Sequence, residues 1–127
     1  MIIDMTNIFA NKSVLTGRSA LAYRNFGVSA DPRVITEVAN IDHEIYVEPR
    51  WILPRDIDFE EDTYNNHKIA SINQAIFDCI KYDYDDSNIE ELLDCMSNED
   101  ILSFRNWLNS HNKYNEIKDK LILYGFE

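Results

Sequence analysis

Asp83, Asp85, Ser87, Glu91 and Asp94 stand at the first, third, fifth, ninth and twelfth positions of a twelve-residue calcium-loop pattern, in which oxygen ligands wrap a hard cation. Two positions break the pattern. The sixth, where the loop must turn sharply and Gly is the rule, is Asn88, and the twelfth is the short Asp94 in place of a bidentate Glu. Ser87 and Glu90 also have capping-box spacing, a simpler task at the start of a helix. No metal and no other cofactor is expected.

The remaining reactive side chains are scattered. His43, His67 and His111 fall in different segments, none within four residues of another His or of a Cys, so surface or cap positions suit them better than ligation or catalysis. Cys79 and Cys95 sit among apolar positions, where a free thiol acts as a small buried hydrophobe. A Gly-rich phosphate loop, a serine nucleophile elbow and HExxH are all missing from the chain. With 23 acidic residues, adjacent carboxylate pairs arise by chance and do not signal general acid–base work. The chain reads as non-enzymatic.

The strongest signal is charge segregation. The net charge is −11, yet residues 1–55 hold six acids against six bases and are neutral, while residues 56–127 hold 17 acids against six bases. No basic cluster exists to drive counterion release from phosphates. The Arg-rich neutral part, with Tyr23, Tyr46 and Trp51, therefore falls short of a nucleic-acid footprint, and no direct nucleic-acid binding is expected. Aromatic side chains interleave with the acids in two places: Phe59, Glu60, Glu61 and Asp62, and then Tyr82, Asp83, Tyr84, Asp85 and Asp86, followed by Glu90, Glu91 and Asp94. Tyrosines make low-entropy anchors, and carboxylates steer a cationic partner and accept its charge-assisted hydrogen bonds. These twelve residues are the expected partner-binding surface. The bland reading is a solvated face that keeps the chain soluble.

Three roles fit such a surface. The first is an immunity or inhibitor protein that occludes the cationic cleft of a basic toxin, with a nuclease foremost. The second is a phage- or plasmid-type DNA mimic that blocks a restriction or defence enzyme. The third is an oligomeric scaffold or adaptor using exposed parts of Phe104, Trp107 and Tyr114.

The elements that must position these residues follow from periodicity and caps. At 127 residues, with 45% hydrophobic and 28% charged, the chain has the size and composition of one compact domain, 1–127. It has no apolar run near the roughly 18 residues of a membrane span, and Met1 to Met5 lacks the character of a secretory signal, so the cytosol is the expected location. Four helices are expected in the acidic part. The first is capped by Asn65 or Asn66 and carries Ile69, Ile72, Ile76 and Ile80 on one face. The second starts at Ser87 with Ile89, Leu92, Leu93 and Met96, and the third at Ser97 with Ile101, Phe104, Trp107 and Leu108. The last starts at Asn112, carries Tyr114, Ile117, Leu121 and Tyr124, and ends at Gly125 with Lys118 and Lys120 near its negative end. In the neutral part, Met1–Phe9 reads as a strand, Gly17–Phe26 as a helix ended by Gly27, and His43–Leu53 as a strand. Residues 31–41 fit either helix or strand, and 54–66 form a packed surface loop. The expected fold is α+β and mostly helical, a small N-terminal β element packed on a C-terminal bundle of short antiparallel helices.

Overall fold

The computed structural model describes residues 14–26, 37–40, 51–54, 59–82 and 86–125. Over these the fold is α+β and mostly helical. Its elements run β1 (Val14–Leu15), α1 (Gly17–Tyr23), β2 (Glu37–Asn40), β3 (Trp51–Pro54), β4 (Glu61–Tyr64), β5 (His67–Ala70), α2 (Ile72–Tyr82), α3 (Asp86–Cys95), α4 (Asn98–Ser110) and α5 (Tyr114–Leu123). The strands make one sheet in the order β3-β2-β1-β5-β4. β1 is antiparallel to β2 and parallel to β5; β2 and β3 are parallel; β4 and β5 form an antiparallel hairpin.

The fork at residues 31–41 resolves as strand over its described part, 37–40, with Val38 in register with Leu15 and Ala39 with Val14. The β-branched content prevails over the helical spacing because β1 offers a ladder to complete. The expected strand Met1–Phe9 and residues 43–50 lie outside the described residues. β3 closes at Pro54, opposite Asn40, at an end of the sheet order where a missing N–H is tolerated.

Residues 61–70 correct two expectations. The segment expected as a surface loop contains β4, and Asn65 and Asn66 do not cap a helix. They form the two-residue turn between Tyr64 and His67, with φ of 51° and 66°. A hairpin with the native twist needs positive φ at both turn positions, and Asn tolerates that region better than most residues. Ile69 therefore lies in β5, in register with Leu15, and the helix starts three residues later, at Ile72. Its cap is Ser71, whose hydroxyl accepts from the Gln74 amide at 3.1 Å. The sheet thus draws two of its strands from the acidic part of the chain, and the β element is not confined to the N-terminal half.

Helix ends follow their caps. Ser97 and Asp100 make a reciprocal capping box at the start of α4, as their spacing implies. α3 opens at Asp86, one residue before Ser87. α1 stops at Asn25, not at Gly27: Asn25 adopts φ 59°, and the amides of Asn25 and Phe26 return to the carbonyls of Ala22 and Leu21 in a Schellman arrangement. Asn112 repeats the device at the end of α4 with φ 55°, so it terminates one helix where the spacing had it start the next. Lys120 donates to the carbonyls of Ile80 and Lys81 at 2.7 and 3.1 Å, and so caps α2 rather than its own helix.

α2 is the hub. It touches each of the other four described helices and β5. Ile76, Phe77, Cys79 and Ile80 from α2 join Leu15, Leu21, Ile69, Leu92, Phe104, Trp107, Leu108, Ile117 and Leu121 in one hydrophobic cluster. Among the described residues no helix is long and apolar enough to cross a membrane.

The turn geometry makes a clean test. Asn66→Gly is expected to stabilise the protein by about 0.5–1 kcal/mol because Gly meets no steric penalty at positive φ. Asn65→Val is expected to destabilise it by about 1–3 kcal/mol through strain at the same turn. Urea midpoints read by tryptophan fluorescence check both, and equal midpoints would refute the turn assignment.

Candidate partner-binding surface

Asp83, Tyr84 and Asp85 lie outside the described residues, and Asp86 opens α3. The other expected binding residues divide into two groups, and two arginines from α1 and its C-cap reach into both. Arg18 Nη2 lies 3.4 Å from Glu91 Oε1. Arg24 Nη2 lies 3.3 Å from Asp62 Oδ2, donates to the Ala70 carbonyl at 3.0 Å, and its guanidinium sits 5.3 Å from the centre of the Tyr64 ring. Tyr64 in turn meets Tyr23 edge-on at 5.5 Å. The two described arginines of the neutral half therefore pair with carboxylates of the acidic half.

Glu60 is also committed inward. Trp107 Nε1–H donates to Glu60 Oε1 at 3.1 Å, and His111 Nε2 lies 3.1 Å from Glu60 Oε2. The imidazole stacks on the indole with centroids 4.5 Å apart, and its Nδ1 lies 2.9 Å from the Trp107 carbonyl. One carboxylate thus joins the segment before β4 to the end of α4. Phe59 packs against the core, Glu61 is half-buried in β4, and Tyr82 is half-buried with the Lys81 ammonium 5.3 Å from its ring centre. Of the three aromatics expected to offer exposed surface for self-association, Phe104 and Trp107 are core residues and Tyr114 is half-buried.

Glu90 and Asp94 remain outward. They are exposed one turn apart on α3, and Glu99 is exposed in the first turn of α4. Among the described residues no cation pairs with these three, and the sequence has no Lys, Arg or His between Lys81 and Arg105. These acids lie on α3 and on the first turn of α4, while Glu60, Asp62 and Glu91 are paired with side chains from elsewhere in the fold. Cys95, half-buried on the same helix, has its thiol pushed up by burial and by Glu91 and Asp94, which disfavours the reactive thiolate. A cleft of about 270 Å³ between β4 and the first turns of α2 and α4 carries Asp62 and Asp100. Its carboxylates already serve Arg24, Thr63 N and Ser97 N, and two positive helix ends offset their charge.

Sequence reasoning missed a buried polar chain. Thr16, at the N-cap of α1, gives no cap hydrogen bond; its hydroxyl donates instead to Asp78 Oδ2. Gln74 Nε2 donates to Asp78 Oδ1 at 3.1 Å, and Gln74 Oε1 accepts from the Glu60 amide at 3.1 Å. The chain so runs from the β1–α1 elbow through α2 to Glu60, Trp107 and His111. Burial pushes the Asp78 carboxyl up to about 7, against the pull of Thr16, Gln74, Lys113 and Lys81. The legible signal was Gln74 and Asp78 four residues apart in the stretch Gln74 to Ile80, whose other residues are apolar.

Comparison with protein-family models, with curated proteins and with solved structures finds no match to this chain.

Glu60→Ala leaves the indole N–H without its acceptor and breaks the His111 contact. Because Glu60 is 37% exposed at its side chain, the expected cost is at the low end, about 1 kcal/mol, with a shift of tryptophan emission. Glu90→Ala should move the urea midpoint by less than about 0.5 kcal/mol. Equal effects of the two would show that the Glu60 bridge does not hold α4.

Proposed function

We propose that this chain is a non-enzymatic binding protein that neutralises a basic macromolecule by docking on it, an inhibitor or immunity protein whose target is a cationic toxin. A nuclease is the leading target class, because an active-site cleft built to hold a polyanion presents the field that a one-signed acidic surface meets best. The observation that carries this reading is the exposed, cation-free run of Glu90 and Asp94 on α3 and Glu99 on α4. Solubility alone is served by interspersed charges of both signs, which this run lacks. The carboxylates steer association, and Tyr82 and the adjoining Asp83–Asp86 segment supply its neighbouring anchors.

A mimic of duplex DNA would hold its carboxylates at phosphate-like intervals over a long face. Glu60, Asp62 and Glu91 turn instead to an indole, an imidazole and two guanidiniums, which favours a local docking site over a mimic. A toxin inhibitor of this kind would work in the cytoplasm of the cell it protects.

The test pairs salt with charge reversal. Association with basic nuclease toxins, followed by surface plasmon resonance, should slow on the order of tenfold or more between low and high salt. The double variant Glu90→Lys, Asp94→Lys should slow it comparably while leaving the fold intact, since both side chains are exposed. Labelled duplex DNA should not bind. Association indifferent to salt and to reversal would end the electrostatic account.

A further inference from the structure

We infer that Asp78 is a proton-operated latch on the β1–α1 elbow, holding the elbow against α2 when its carboxyl is neutral and loosening it when the carboxyl ionises. The inference stands on placement and does not depend on the identity of any partner. Asp78 is 4% exposed, and its two oxygens are met by two neutral groups, the Thr16 hydroxyl from the elbow and the Gln74 amide from its own helix. The cations that face it act from a distance: Lys81 on α2 bonds Glu116, and Lys113 between α4 and α5 lies 3.9 Å from Glu116 and 5.2 Å from the Phe77 ring centre. An ionised Asp78 is thus a buried charge without a bonded counterion, a state that favours admission of water.

The partners accept both protonation states without rearrangement. Gln74 Oε1 is occupied by the Glu60 amide, which orients Nε2 toward Asp78 Oδ1 in either state. The Thr16 hydroxyl donates to the carboxylate or accepts from the neutral carboxyl. The elbow depends on its neighbours: β1 is held between β2 and β5, and α1 packs on α2. β1 has two residues and α1 seven, too short to persist alone, and Gly17 turns between them at φ 59°. When the carboxyl loses its proton, the elbow is the element that can open to hydrate it.

The sign follows from linkage. The folded carboxyl binds its proton more tightly than an open one, so closure is fully supported below the ordinary range near 3.8 and is lost as pH rises toward about 7. Between pH 5 and pH 7 the opening equilibrium is expected to increase roughly fifty-fold.

Amide hydrogen exchange followed by NMR on the full chain, corrected for intrinsic exchange, reads this directly. Protection of the amides from Leu15 to Ala22 should fall by that factor from pH 5 to pH 7, while the amides of Phe104, Leu108 and Ile117 keep theirs. The Asp78 carboxyl carbon should titrate with a midpoint near 7 in the same wild-type samples, so the inference does not hang on a variant that folds. In Asp78→Asn, protection of the elbow should be high and independent of pH. An Asp78 midpoint in the ordinary carboxylate range overturns the latch, and so does a loss of protection shared equally by α4 and α5, which would mark global destabilisation.

Discussion

The enclosure of α2 constrains everything around it. A helix touched by every other described helix has little surface left for water, so each polar group that it carries inward must find a protein partner. Asp78 and Gln74 are those groups, 4% and 3% exposed. Their partners determine where neighbouring segments sit: Thr16 brings the β1–α1 elbow onto α2, and Gln74 reads the backbone at Glu60. The last carbonyls of α2 face the same demand, and Lys120 from α5 answers it. Apolar burial supplies the driving force for this packing, while the polar chain decides which arrangement of elements is accepted.

Charge obeys a related economy. The segregation visible along the sequence is partly undone in space, since Arg18 and Arg24 cross from the neutral half to Glu91 and Asp62. Such pairs are half-exposed and each adds little stability on its own, but they subtract carboxylates from the outer surface. Among the described residues, Glu90 and Asp94 on α3 and Glu99 at the start of α4 stay exposed without a cation. A steering field needs excess charge that is solvated and free of local partners, and Glu90, Asp94 and Glu99 meet that condition where Glu60, Asp62 and Glu91 do not.

The helical half was legible wherever a cap and a stripe agreed. Ser97 with Asp100, followed by Phe104, Trp107 and Leu108, marks α4 to its last residue because local hydrogen bonding and burial demand the same start and the same face. Ile69 misled for the opposite reason: its spacing to Ile72 and Ile76 is helical, but Asn65-Asn66 forms a hairpin whose pairing takes Ile69 into the sheet. Asn112 shows the same ambiguity, since one side chain suits a helix start and a left-handed helix end equally well. Among the expected site residues, Glu90 and Asp94 were readable as outward because the apolar stripe of α3 faces away from them. The pairing of Glu60 and Asp62 was not readable, because their partners stand 38 to 51 residues away in sequence and no local pattern records such contacts.

This difference separates two kinds of acid on one chain. An acid held by distant partners, as Glu60 is by Trp107 and His111, resists substitution because its loss leaves buried donors unmet. An acid on the open face of α3 contributes almost nothing to folding. Asp78 belongs to the first kind carried to its limit: its carboxyl is so enclosed that its charge, not its contacts, becomes the variable quantity. Among the described residues the carboxylates therefore stand in three settings: enclosed at the centre, paired at the seam between the halves, and exposed without a cation on α3 and the start of α4.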